Sequence, residues 1–63
     1  MPKYNIGQII PLTFATIEII SVSENKDYLE NEYIYFVKKI EEGTFKTYTE
    51  LFITNKKLKK ELV

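Results

Sequence analysis

The chain has no cysteine, no histidine and no arginine. Without cysteine there is no disulfide framework and no thiol nucleophile. Without cysteine and histidine together there is no Cys/His zinc site and no imidazole for acid–base chemistry. All nine basic residues are Lys. An ammonium holds phosphate as a flexible point charge, whereas a guanidinium reads guanine edges and phosphates through two fixed hydrogen bonds, so base-specific DNA reading is disfavoured. Glycine is confined to positions 7 and 43, which leaves no glycine-rich phosphate loop. No apolar run approaches the roughly 20 residues of a membrane helix. The start, Met1-Pro2-Lys3-Tyr4-Asn5, lacks the basic region and apolar core of a signal peptide. The expected location is the cytoplasm of a bacterial cell, with no membrane partner. Nine Lys balance nine Asp plus Glu, so the chain is neither a basic nucleic-acid coat nor an acidic DNA mimic.

What is present is an ordinary globular mixture, 44% hydrophobic and 29% charged, in 63 residues. That length suits one domain, residues 1–63. Nine Ile and five Tyr beside an Arg-free set of Lys point to AT-rich coding, as in a low-GC bacterium or a phage or plasmid living in one. So short a chain is energetically marginal. Ordering each residue costs roughly 1.5 kcal/mol and burial returns only about 25 cal/mol per Å². With disulfides excluded and no metal set indicated, oligomerisation or binding to a larger partner is the remaining rescue.

The element pattern is that of an all-β protein. Gln8 to Ile10 reads as a short first strand stopped by Pro11, an edge or bend residue. Leu12 to Val22 is rich in β-branched residues and reads as a long strand, bent where Ile19 and Ile20 are adjacent. Ser23 to Asn31 is a polar loop in which Tyr28 and Leu29 tuck back. Glu32 to Ile40 and Thr44 to Ile53 are the next strands. Thr54 or Asn55 caps a final helical turn, Lys56 to Leu62. A three-residue loop, Glu41-Glu42-Gly43, with Gly43 in the left-handed position, joins the last two strands. That register sets Phe36 opposite Tyr48, Lys38 opposite Lys46 and Val37 opposite Thr47.

Alternation then sorts the side chains into two faces. One face collects Ala15, Ile17, Ile19, Tyr33, Tyr35, Val37, Phe45, Thr47, Leu51 and Ile53, and is the better core, with Leu58 and Leu62 as a cap. The other collects Phe14, Glu18, Ile20, Val22, Ile34, Phe36, Lys38, Ile40, Lys46, Tyr48, Glu50 and Phe52. A core does not hold four unpaired charges, and a solvent face does not hold so many large apolar groups. Aromatics mixed with a few charges are the composition of a binding surface. The candidate partner-binding residues are therefore Phe14, Ile34, Phe36, Lys38, Lys46, Tyr48 and Phe52.

No constellation indicates catalysis. Glu18 and Glu50 share a face, but two charges neutralising Lys38 and Lys46 explain them. No cofactor and no metal is expected. The cluster Lys56, Lys57, Lys59 and Lys60 is the one basic run; it suits either a nucleic-acid backbone or simple solubility at a helix C-terminus.

The order of elements resembles small Src-homology-3-like barrels of the Tudor and KOW kind. Gly7 before the first strand, Ala15-Thr16-Ile17, the run Tyr33 to Val37, and Glu50 to Leu58 carry the likeness. It is a likeness of pattern, similar to accessory proteins of low-GC phages and mobile elements. It implies a bent antiparallel sheet or partly open barrel of four to five strands with a short C-terminal helical turn, and binding in place of catalysis. The function expected is self-association, a dimer being favoured, together with binding or inhibition of a host protein, such as a defence complex, through the aromatic face. The alternatives are a nucleic-acid-binding barrel using the C-terminal lysines, and an oligomer holding a small anionic ligand between its subunits through Lys38 and Lys46.

Overall fold

The computed structural model describes residues 2–25 and 32–58. Strands β1 (Ile9–Pro11), β2 (Thr16–Asn25), β3 (Glu32–Lys39) and β4 (Thr44–Thr49) form one antiparallel sheet in the order β1-β2-β3-β4, followed by helix α1 (Glu50–Lys56). The sheet is not closed into a barrel. This is the expected small bent β-sheet ending in a helical turn, with four strands.

Two devices bend and register it. The β2–β3 pairing slips by one residue between Ile19 and Ser21, which inserts Ile20 as a bulge. The bulge falls at the adjacent apolar pair where the bend was expected. It returns Val22 to the covered side, opposite Tyr35, where simple alternation had placed it on the bare side. At the other end of β3, Gly43 takes a φ of 72°, as the turn chemistry requires. The loop is nevertheless four residues, Ile40 to Gly43, because Lys39 pairs with Thr44. Both the Glu42 and the Gly43 N–H donate to the Lys39 carbonyl, at 3.2 and 2.8 Å.

The extra loop residue corrects the expected register. Tyr35 lies opposite Tyr48, Phe36 opposite Thr47, Val37 opposite Lys46 and Lys38 opposite Phe45. All of β4 is thereby inverted: Tyr48 and Lys46 join the covered side, and Phe45 and Thr47 the bare side. Tyr48 packs on the core opposite Tyr35, where the three-residue loop would have set the small polar Thr49, and Phe45 is left half exposed in exchange.

The glutamates of the turn make contacts of their own. Glu41 Oε1 accepts the Thr16 N–H at 3.2 Å, tying the turn to β2. Its own N–H and that of Thr16 hold the Glu41 carboxyl below the usual carboxylate range. Glu42 accepts from Thr44 Oγ1 and lies 3.4 Å from Lys39 Nζ.

Helix α1 starts six residues earlier than the sequence suggested. Thr49, in extended geometry, caps it by accepting the Phe52 N–H at 3.1 Å. Glu50 in its first turn and Lys56 in its last complement the helix dipole. The expected strand through Ile53 is therefore wrong after Thr49. Lys57 is extended and Leu58 is not helical, so the expected helix from Lys56 to Leu62 does not form over them; residues 59–62 lie outside the described residues, as do Tyr28 and Leu29.

The core is one-sided. Ile10, Ile17, Ile19, Tyr35 and Val37 of the sheet are covered by Tyr4, Leu12 and Ile53, all buried. Val22, Tyr33 and Tyr48 pack at its rim. Leu51, expected in this core, is 64% exposed, and Leu58 is exposed rather than a cap. Truncating Ile19 to Ala should cost about 2–5 kcal/mol. That is most of the few kcal/mol available to a domain of this length. A urea titration of Ile19→Ala should therefore find it largely unfolded at 25 °C.

Candidate functional site: the bare sheet face

The face opposite the core has no element over it among the described residues. Following the register across the strands gives its layout. Ile9, Glu18, Lys38 and Phe45 lie side by side in one row, and Ser21, Phe36 and Thr47 in the next. Ser23, Ile34 and Thr49 follow. Phe36 and Phe45 are diagonal neighbours. Their rings stack in parallel at 5.3 Å between centroids and 4° between planes, while Phe36 remains 41% and Phe45 51% exposed. Ile9, at the far side of the row, is 54% exposed. Glu18 and Lys38, directly opposite each other on the central strands, stand between these apolar groups.

The candidate residues read from the sequence thus divide. Ile34, Phe36 and Lys38 are on the bare face as expected, and Phe45 joins them as the residue that sequence reasoning placed on the wrong side. Phe14, Tyr48 and Phe52 are together, but on the core side. Tyr48 and Phe52 are 4.6 Å apart, and Phe14 meets both edge-on at 6.1 and 6.0 Å. Lys39 Nζ sits 5.6 Å from the Phe14 ring, a cation–π contact that covers one face of that ring. Lys46 also lies on the core side, exposed, at the sheet edge. Lys38 and Lys46 project from opposite sides of the sheet, so the two lysines of one chain do not meet. Glu50 is not on the bare face either. Lys56 and Lys57 are exposed at the end of α1, away from the aromatic stack, with Lys57 Nζ 5.8 Å from the Tyr4 ring. Lys59 and Lys60 lie outside the described residues.

A part-buried polar cluster around the Tyr35 hydroxyl is structural in its geometry. Tyr35 donates its hydroxyl proton to Glu50 Oε2 at 2.7 Å, and its oxygen accepts the N–H of Lys3 at 3.1 Å and of Tyr4 at 3.3 Å. The Lys3 N–H also donates to Glu50 Oε2 at 2.8 Å. Tyr4 packs edge-on to Tyr35 at 5.5 Å and shares a hydrogen bond with Thr54 Oγ1 at 2.9 Å. The N-terminal segment is thereby strapped to β3 and α1. Neither Tyr4 nor this knot was visible in the strand pattern, because Tyr4 precedes every strand. Burial, then the bond to the Glu50 carboxylate, pushes the Tyr35 hydroxyl up to about 12.

Comparison with known proteins finds no matching family model, no matching curated protein and no matching solved structure. The arrangement of side chains is therefore what any functional reading has to stand on.

The Tyr35 knot makes a pH prediction. The folded state holds the Tyr35 proton more tightly than an ordinary tyrosine at 10.0. The contribution is fully present below pH 10 and lost as pH rises through about 12. Tyr35→Phe should cost about 1–2 kcal/mol at neutral pH, because the Tyr4 N–H loses its acceptor and Glu50 loses one of its two donors. It should also flatten the loss of stability between pH 10 and 12. Urea midpoints of the two proteins across that range check both effects; parallel curves would place Tyr35 outside the network.

Proposed function

We propose that this chain is a non-catalytic interaction protein whose bare sheet face docks onto another protein. The observation that carries the reading is the exposed Phe36–Phe45 stack on an uncovered sheet face. Two parallel aromatic rings held on neighbouring strands present a rigid apolar anchor at little cost in side-chain entropy, which is the chemistry of interface hot spots. Glu18 and Lys38 beside them favour a partner patch carrying one base and one acid in matching positions, which orients the contact more than it strengthens it. Ser21, Ser23, Thr47 and Thr49 form a polar surround.

A host protein is the partner class proposed for a chain whose composition suggests a phage or mobile-element source; occlusion of that partner's surface is the mode of action. The engagement of the Tyr35 and Glu50 groups with each other and with the N-terminal backbone supports a non-catalytic role. The likeness to small Src-homology-3-like barrels belongs to the same proposal. Its support is that the chain leaving α1 returns to β1, where Leu12 bridges to Lys57.

The test is affinity purification with the full chain from the cells that express it, beside the double variant Phe36→Ala/Phe45→Ala. Each alanine removes a side chain already about half exposed, at about 1 kcal/mol, so circular dichroism should show a folded variant. The wild-type chain should retain a partner that the double variant loses. If the variant unfolds, the two rings are core and the site is wrong. If both proteins retain the same partners equally, the docking face is wrong.

A further inference from the structure

The two edges of the sheet are treated differently. Strand β1 is three residues long, contains Pro11, and is lined by the segment that follows α1. Thr13 N–H donates to the Lys56 carbonyl at 2.8 Å and Leu58 N–H to the Pro11 carbonyl at 2.9 Å. Strand β4 is six residues long and has neither Pro nor Gly, and no described segment lies along its outer side. A long, unprotected edge is a template for pairing with another strand.

The register identifies the groups that wait there. Ile19 uses both its backbone groups toward the β1 side: its N–H donates to the Gln8 carbonyl at 2.9 Å and its carbonyl accepts from Gly7 at 2.7 Å. Val37, opposite Ile19, therefore directs its own N–H and carbonyl to β4, where they meet Lys46. Alternation from Lys46 turns the N–H and carbonyl of Phe45 and of Thr47 outward. We infer that this edge pairs, antiparallel and about Thr47, with β4 of a second copy of the chain, joining two four-stranded sheets into one.

Symmetry and charge favour a second copy as the occupant. Pairing β4 with β4 of a second copy about a two-fold axis uses the same edge on both chains, so the contact closes at two chains. A two-fold axis normal to the sheet sets one residue opposite itself. Centred on Lys46, it brings two ammonium groups together in the closer, non-hydrogen-bonded kind of pair. Centred on Phe45, it sets Thr47 against Gly43, whose N–H is already spent on Lys39. Centred on Thr47, it sets each Lys46 beside the other copy's Tyr48, an attractive cation–π pair, and each Phe45 beside Thr49. That pairing runs to Thr49 and stops where α1 begins. The same axis leaves both Phe36–Phe45 stacks on one side of the joined sheet. The pairing itself does not require the docking role proposed above.

The absence of cysteine makes the test direct, since a single introduced thiol can cross-link only between copies. Residues facing each other across such an axis stand about 5.5 Å apart at Cα, within disulfide range. Thr47→Cys in the full chain should convert to disulfide dimer under mild oxidation, whereas Ser23→Cys, exposed on β2 away from the β4 edge, should stay single. Thr47→Pro removes an N–H that points away from β3, so the fold keeps its own ladder. Sedimentation equilibrium should show its dimer roughly thirtyfold weaker than that of the wild type. Phe36→Ala should leave the dimer constant within about twofold, which separates loss of docking from loss of pairing. A wild-type chain that sediments as a monomer up to millimolar concentration would overturn the inference. So would a Thr47→Cys chain that cross-links no faster than Ser23→Cys, a result that decides the matter even if the proline variant unfolds.

Discussion

The hydrogen bond from Gly43 N–H to the Lys39 carbonyl closes the β3–β4 turn, and the side on which each β4 residue lies follows from it. One loop residue more or fewer would exchange Phe45 and Thr47 with Lys46 and Tyr48. The observed turn brings Tyr48 against the core and the Phe14 and Phe52 rings, and leaves Phe45 outside to stack on Phe36. It also ends the strand so that Thr49 is free to cap α1. Core, helix start and exposed aromatic pair are thus three consequences of a single four-residue turn.

A chain this short covers only one side of its sheet. The coverings are Tyr4, Leu12 and the Ile53 face of α1, fastened by the hydrogen bonds that converge on Tyr35 and Glu50. Nothing comparable among the described residues lies over the Phe36 side. The bare face is consequently where apolar surface, an acid and a base on facing strands and a polar surround coincide, and it is also the surface that a partner can stabilise. The protein's small core and its proposed binding role have the same physical origin.

The strand interiors were legible because alternation in Ile17, Ile19, Tyr35 and Val37 is a period-2 signal that survives without tertiary information. The bulge was legible too, since two adjacent isoleucines break that period. The sequence could not reveal the turn length, because a glycine at the left-handed position is compatible with loops of three or four residues. The helix at Glu50 was hidden by β-branched and aromatic neighbours. Tertiary packing of Ile53 and the Thr49 cap outweighed that local preference. Tyr4, before the first strand, carried no periodic signal at all. Of the candidate site, Ile34, Phe36 and Lys38 belonged to the strand that was read correctly, whereas Tyr48 and Lys46 inherited the turn error.

The hairpin register is open to one decisive measurement, the cross-strand Hα–Hα nuclear Overhauser contacts of β3 with β4. Such contacts are strong only in the non-hydrogen-bonded pairs, where Cα atoms are about 4.5 Å apart. The structure requires them between Phe36 and Thr47 and between Lys38 and Phe45. Contacts from Phe36 to Tyr48 and from Lys38 to Lys46 would instead return Phe45 to the core side and remove the exposed stack on which the functional account rests.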